Sequence, residues 1–345
     1  MDAGVQRVAI AGTGLIGASL GLALNTQGRH TYGWDPNRDS LRAAAERGAV
    51  EPVDSYEALL DIAADVLVLS GPPAAVIEQV GSPAAGEYAG LVIDVSGVKS
   101  AILDGNRFGR FVGTHPMAGR ETAGPNAASA ALFRGAAWVV VPDGAEPADV
   151  QLVEGLIETI GARPVRMTSE QHDSAVAAIS HVPQLLASTL MNEATARTQA
   201  LDLVAGSFRD LTRVAASESG LWLEVLDANR TEVAAVLGEY VDRLENVAAA
   251  LLDRRIDDVA AVLDTARIAR RALAAPTAAV RVALADEPGE LAKVGRAFET
   301  AGVDVRDLQL RHAPHGGGGV LTVSVRSDDE VALRTAMETA GFLLI

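Results

Sequence analysis

Short apolar runs recur between helical stretches over the first 167 positions of the chain. Residues 7–11, 31–34, 65–70, 91–95, 111–114, 138–141 and 163–165 each read as a strand. Most are almost continuously Val, Ile, Leu or Ala, without in/out alternation, as a sheet covered on both faces requires. Helical stretches such as 76–80 and 147–161 separate them. That order predicts an α/β fold with a mostly parallel, doubly wound sheet. From Thr168 the pattern changes. Residues 169–273 carry Ala/Leu/Val helical periodicity, interrupted by Pro183, Gly206 and 217–220. Pro183 lacks an N–H and frees the Ile179 carbonyl, which predicts a kink. After Ala275-Pro276-Thr277 the pattern changes again, to strand 279–284, helix 289–301, strands 303–311 and 319–326, helix 328–340 and strand 342–345. This βαββαβ order predicts a ferredoxin-like module. Three domains follow: 1–167, an all-helical 168–275, and 276–345.

The first strand runs into Gly12-Thr13-Gly14-Leu15-Ile16-Gly17 and then into a helical pattern. Strand, glycine turn and helix in that order form a Rossmann-type dinucleotide fingerprint. Gly12 permits the turn, Gly14 lets a pyrophosphate approach the backbone, and Gly17 lets helix and strand pack closely. The N–H groups that open the helix face the phosphates. Asp35 ends the next strand, eighteen residues after Gly17. A carboxylate there accepts hydrogen bonds from a ribose 2′-OH and repels a 2′-phosphate, which favours NAD over NADP. Arg38 lies close enough to soften that preference. Ligands of such sheets sit beyond the carboxyl ends of the strands. Ser70 (with Pro72 behind it), Ser96 and His115 are therefore expected at one crevice.

Composition narrows the classes. A net charge of −16 argues against sequence-independent nucleic-acid binding and requires a locally cationic site for any anionic substrate. The chain has no cysteine, which removes disulfides and thiolate metal sites and fits a reducing cytoplasm. No uncharged apolar run reaches the ~18 residues of a membrane span, and no signal-peptide pattern opens the chain. Lys99 and Lys293 are its only lysines. Gly316–319 lacks a following Lys-Ser/Thr, so it reads as a hairpin tip flanked by His312 and His315, with no metal site expected.

The ordered set Gly12–Gly17, Asp94-Val95-Ser96-Gly97-Val98-Lys99, Thr114-His115-Pro116-Met117-Ala118-Gly119-Arg120-Glu121, His172-Asp173, Ser180-His181-Val182-Pro183-Gln184 and 208–215 resembles the prephenate/arogenate dehydrogenase family of tyrosine biosynthesis, over roughly residues 6–275. The resemblance implies NAD-dependent oxidative decarboxylation. Hydride leaves ring carbon C4, the 4-hydroxyl loses its proton, and the ring carboxylate departs as CO2. It makes His115 the base that accepts from the 4-hydroxyl, with Ser96 as its partner. It puts Thr114, Ser180 and Gln184 in the substrate pocket, with Ser180 and Gln184 sharing a helix face. Arg213 can hold a substrate carboxylate bidentately. Glu121 either gates or polarises the pocket or forms a surface salt bridge. Two departures stand out: the family places serine directly before Val-Lys, where this chain has Gly97, and prephenate-specific members often carry histidine where Gln184 stands. A neutral amide there leaves prephenate and arogenate both open. Asp286-Glu287-Pro288-Gly289-Glu290-Leu291 resembles the start of an ACT domain, which implies tyrosine as an effector. A helical domain this apolar is expected to pair with a twin subunit.

Two rivals remain. A β-hydroxyacid dehydrogenase resembles this layout but places a catalytic lysine on its helical part, and residues 166–275 contain none. A non-catalytic, NAD- and amino-acid-responsive regulator would bind without turnover and has no need of His115, Ser180 and Arg213 together.

Overall fold

The computed structural model describes residues 5–119, 122–197, 201–273, 277–312 and 318–345. The chain divides into two compact units, Met1–Arg243 and Leu244–Ile345.

In the first unit, strands β1 (Arg7–Ala11), β2 (His30–Trp34), β3 (Glu51–Pro52), β4 (Val66–Leu69), β5 (Leu91–Asp94), β6 (Phe111–Pro116), β7 (Ala137–Val141) and β8 (Arg163–Arg166) form one sheet. Its order is β3-β2-β1-β4-β5-β6-β7-β8. All neighbours are parallel except β6 and β7, which are antiparallel. Successive side chains on a strand point to opposite faces, and both faces are buried here. Val8, Ile10, Val66, Val68, Leu91 and Ile93 enter one core; Ala9, Ala11, Leu67, Leu69 and Val92 enter the other. That is why these runs do not alternate. β3 escapes the sequence pattern because it is two exposed residues long.

The strand order reverses between β1 and β4, which opens the crevice at their carboxyl ends. The glycine turn lies there, followed by α1 (Leu15–Asn25). Gly12 has φ +98°, and a Cβ on it would lie 2.5 Å from the Ser70 carbonyl oxygen, while one on Gly17 would lie 2.0 Å from the Gly12 oxygen. Only glycine fits either position.

The helical part opens with a capping box: the Thr168 hydroxyl accepts from Gln171 N–H, and the Gln171 side chain accepts from Thr168 N–H. Helix Ser169–Val176 passes into a π turn, Ala177–His181, and then into helix Val182–Ala196. The π turn lies just before Pro183, where a kink is expected. Proline cannot donate to the Ile179 carbonyl, so the ladder widens and Val182 N–H reaches back to the Ala177 carbonyl. By length and composition Ser169–Ala196 could cross a membrane, unlike the reading from uncharged runs alone. Its Ala177 and Val182 instead pack with Val233 in a core, and it buries His172, Asp173, His181 and Gln184. It packs against that core along one face, while Ile179 and Leu190 are exposed.

The second unit contains the remainder of helix Arg230–Leu252, helix Ile256–Leu273 and a four-stranded antiparallel sheet. Strands β9 (Thr277–Leu284), β10 (Val305–His312), β11 (Gly319–Arg326) and β12 (Leu343–Leu344) are ordered β10-β11-β9-β12. Helices Glu290–Ala301 and Glu330–Thr339 interleave with them in the expected βαββαβ sequence. Val280, Val282, Val323 and Val325 pack with Val294, Leu333 and Met337 between sheet and helices. His315, Gly316, Gly317 and the boundary at 275–276 lie outside the described residues.

Candidate active site at the carboxyl ends of the strands

The glycine turn is tied to the end of β2. Thr13 N–H donates to Asp35 Oδ2 at 2.7 Å, Thr13 Oγ1 donates to the same oxygen at 3.2 Å, and Asn37 N–H donates to Oδ1 at 2.8 Å. Gly12 N–H donates to the Trp34 carbonyl at 2.8 Å. The first turn of α1, Leu15-Ile16-Gly17, has no side-chain cap and no acidic residue, so its donors remain available to an anion. Nothing lies within 4 Å of where a Gly14 Cβ would be, leaving backbone open to a diphosphate. Across the crevice, Ser70 Oγ is buried without a partner among the described residues, and Pro72 caps helix Pro73–Gly81. Arg38 donates to the Asp54 carbonyl at 2.7 Å. These features fit a dinucleotide with a free ribose 2′-OH.

Behind the crevice sits a polar interior. Asp94 and Lys99 form a fully buried ion pair. Asp94 also accepts from Ser96 N–H at 2.9 Å and Thr114 N–H at 3.1 Å. The Thr114 hydroxyl donates to the Asp94 carbonyl and its side chain is sealed from solvent. Its donor is therefore spent between β5 and β6, not on a ligand. Burial pushes the Asp94 carboxyl up and the Lys99 amine down, and their pairing works against both shifts.

A chain of imidazoles starts at His115 on β6. His115 Nδ1 and His172 Nε2 are 2.9 Å apart, and His172 Nδ1 is 2.8 Å from Asp173 Oδ1. Asp173 accepts from Lys99 N–H and Ser100 N–H, each at 2.8 Å, and so caps helix Ser100–Gly105 from outside. Asn229 Nδ2 donates to the Asp173 carbonyl at 2.9 Å and lies 3.2 Å from His181 Nδ1. Burial of Asp173 favours its neutral form, but bonds from His172, Ser100 and Lys99 outweigh that and hold the carboxyl below its usual range. His115 is held well below an ordinary imidazole, first by burial and then by repulsion from the positive charge of Lys99 and from any that His172 or His181 would carry. His181 falls to about 4, again mainly through burial. On the far side of the His115 ring, a Cβ on Gly97 would lie 3.6 Å from Cε1 and 3.7 Å from Nε2. The ring edge that carries Nε2 meets a position with no side chain.

The structure thus brings His115 and Gly97 together at the end of the sheet, with Ser96 alongside; Ser96 Oγ is buried and unpartnered among the described residues. Ser180 is half-buried in the π turn. Gln184 is buried, donates to the Val214 carbonyl at 3.0 Å and leaves Oε1 unpartnered among the described residues. Arg213 follows helix Gly206–Thr212 and is exposed. Glu121 lies outside the described residues. Sequence reasoning left Lys99, His172 and Asp173 without roles, read His181 as structural or at the rim, where the structure buries it as a structural residue would be, and missed Asn229. Lys99 carried a signal, as a lone lysine five residues after Asp94.

The chain is similar to known proteins over most of its length. Residues 20–166 match the nucleotide-binding domain of prephenate dehydrogenase, and residues 168–265 match its dimerization domain. Among relatives, the probable prephenate dehydrogenase NovF of Streptomyces niveus is 30% identical over 94% of this chain and 95% of its own. Prephenate dehydrogenase of Bacillus subtilis is 26% identical over 94% of this chain and 93% of its own. Among solved structures, prephenate dehydrogenase from A. aeolicus in complex with hydroxyphenyl propionate and NAD+ is 25% identical, with a TM-score of 0.73 over 78% of this chain and 98% of that one. The chain belongs to the prephenate dehydrogenase family.

Proposed function

We infer that the chain catalyses NAD-dependent oxidative decarboxylation of prephenate to 4-hydroxyphenylpyruvate. The observation that carries this is His115, whose Nε2 opens onto Gly97 beside the dinucleotide crevice while Nδ1 is held from behind by His172. NAD supplies the hydride acceptor at C4. His115, neutral at pH 7 because burial disfavours its cation, accepts the 4-hydroxyl proton as the hydride leaves. Asp35 receives the ribose hydroxyls, and the turn Gly12–Gly17 with the start of α1 holds the diphosphate. Ser70 and Ser96 bring hydroxyls with unspent hydrogen-bonding capacity to the crevice.

Arg213 is the candidate for binding a substrate carboxylate, which answers the acidic surface. Arg213→Ala is expected to raise KM by more than it lowers kcat, about tenfold or more in KM, because it removes an interaction present in ground and transition states alike. An unchanged KM in initial-rate measurements would assign the carboxylate to another residue.

Arogenate is the second reading, supported by Gln184, whose buried neutral amide has an unspent Oε1. We read the second unit's βαββαβ sheet as a ferredoxin-like, ACT-type module. A cavity of about 310 Å³ lined by Asp286, Glu287, Glu290 and Leu310 suits an amino-acid effector such as tyrosine. On this reading the chain divides into domains at 168 and 276. The dimerization-domain match and exposed Leu251, Leu252, Leu263 and Ile268 favour a homodimer. One experiment tests these assignments: initial rates with prephenate and arogenate, each with NAD and NADP, with and without tyrosine, on protein sized by light scattering. A dimer, fastest with prephenate and NAD and slowed by tyrosine, is expected. Absence of NADH with either substrate leaves only the non-catalytic reading.

A further inference from the structure

We propose that His172 is a positioning residue for His115 and the acceptor of its Nδ1 proton, so that charge created at the site comes to rest beside the Asp173 carboxylate. The inference rests on the reaction assigned above.

With His172 neutral before reaction, hydrogen-bond directions along the chain leave one solution. The Asp173 carboxylate already accepts from Lys99 N–H and Ser100 N–H, and the same bonds hold it ionised. An ionised carboxylate only accepts. His172 Nδ1 therefore carries a proton and donates to Asp173 Oδ1. The other nitrogen of a neutral imidazole, Nε2, is then an acceptor. His115 Nδ1, 2.9 Å away, must be the donor. The lone pair of His115 is left on Nε2, the nitrogen that faces Gly97. The tautomer a base needs is thus fixed from outside the active ring.

The surroundings show why charge should not stay on His115. Among the described residues, the titratable groups around the two rings are Asp173, the Asp94–Lys99 pair and His181, which Asn229 joins to Asp173. A cation on His115 would be buried near Lys99. A cation on His172 would lie 2.8 Å from a carboxylate oxygen. As the hydride leaves C4, the substrate O–H bond breaks and an Nε2–H bond forms on His115. His115 Nδ1–H breaks and Nε2–H forms on His172. His115 stays neutral, and the imidazolium is His172. When the ring carboxylate leaves as CO2, its C–C electron pair completes the aromatic ring and the oxygen takes its proton back along the same path. The proton is borrowed, in keeping with a reaction whose only other products are CO2 and NADH.

The test is single-turnover hydride transfer by the full-length enzyme in mixtures of H2O and D2O, for wild type and His172→Gln. Glutamine can accept the His115 Nδ1–H bond but cannot take the proton. The wild-type proton inventory is expected to be bowed, as two protons in flight require. The variant should transfer hydride about 10²-fold more slowly, with a linear inventory and nearly unchanged KM and NAD affinity. A merely structural role predicts rescue by glutamine, so a variant rate within about threefold of wild type overturns the proposal, as does a linear wild-type inventory. Nitrogen-15 spectra of the histidines in the unliganded wild type give an independent reading. Nδ1–H on His115 is expected, and Nε2–H overturns the proposal even if the variant fails to fold. Wild type that turns over neither substrate sinks the assigned reaction instead, and the tautomer then decides the positioning role.

Discussion

His115→Asn is expected to lower kcat by about 10²–10⁴-fold, the usual contribution of a placed general base, while NAD affinity is retained. Asparagine keeps a donor of similar reach for His172 but has no basic nitrogen for the hydroxyl. The proposed dinucleotide contacts are on the glycine turn and Asp35, which Thr13 ties together, and not on β6, so an NAD titration by fluorescence should scarcely change. The pH profile adds a second reading. Because burial holds the His115 imidazole well below 6.5, its basic form persists as pH falls through that value. Activity is then lost only at lower pH, as the depressed pKa is passed. The kcat/KM profile of the wild type should therefore be flat from pH 7.5 down to 6.5. Near-normal turnover by the variant, or an acid limb centred at or above 6.5, rules out His115 as the base.

The largest effect on stability is expected at Lys99. Its amine and the Asp94 carboxylate are both fully buried, and a Cβ on Gly113 would already press on Lys99 Cδ at 3.2 Å. Lys99→Met keeps most of the volume but leaves a carboxylate without its cation. Breaking a buried pair from one side costs about 3–5 kcal/mol, a large part of what holds an ordinary domain together. Asp94→Asn added to Lys99→Met removes the orphaned charge and should return part of that loss. Asparagine has one acceptor oxygen where Asp94 serves both Ser96 N–H and Thr114 N–H, so recovery stays incomplete. Urea unfolding followed by circular dichroism measures both variants. A Lys99→Met protein as stable as wild type would show that Asp94 takes up a proton at little cost.

Legibility in the sequence followed the range of the interactions. The strands of the parallel sheet were readable because burial on both faces writes itself as uninterrupted apolar residues, and the glycine turn because two of its positions exclude a Cβ. The all-helical stretch and the βαββαβ element order at the end of the chain were readable because their periodicity is local too. The imidazole chain was not. His115 and His172 stand 57 positions apart, and nothing in either segment announces that their rings meet. The Asp94–Lys99 pair is close in sequence, but its burial depends on β6 passing beside β5. Thr114 shows the converse. A polar residue next to a candidate catalytic histidine invites a ligand role, yet strand pairing turns its hydroxyl onto the Asp94 carbonyl.

The π turn at Ala177–His181 also bears on how this chain is compared with others. An α-helix turns by about 100° per residue, so the extra residue puts Ser169–Val176 and Val182–Ala196 out of phase by that angle. His172 and Asp173 belong to one phase, Gln184 to the other. A relative whose helix lacks the insertion would present a neighbouring residue to the same point in space. Across 177–181, equal position in an alignment does not mean equal place in the pocket, and substrate preference inferred column by column would be read from the wrong side chain.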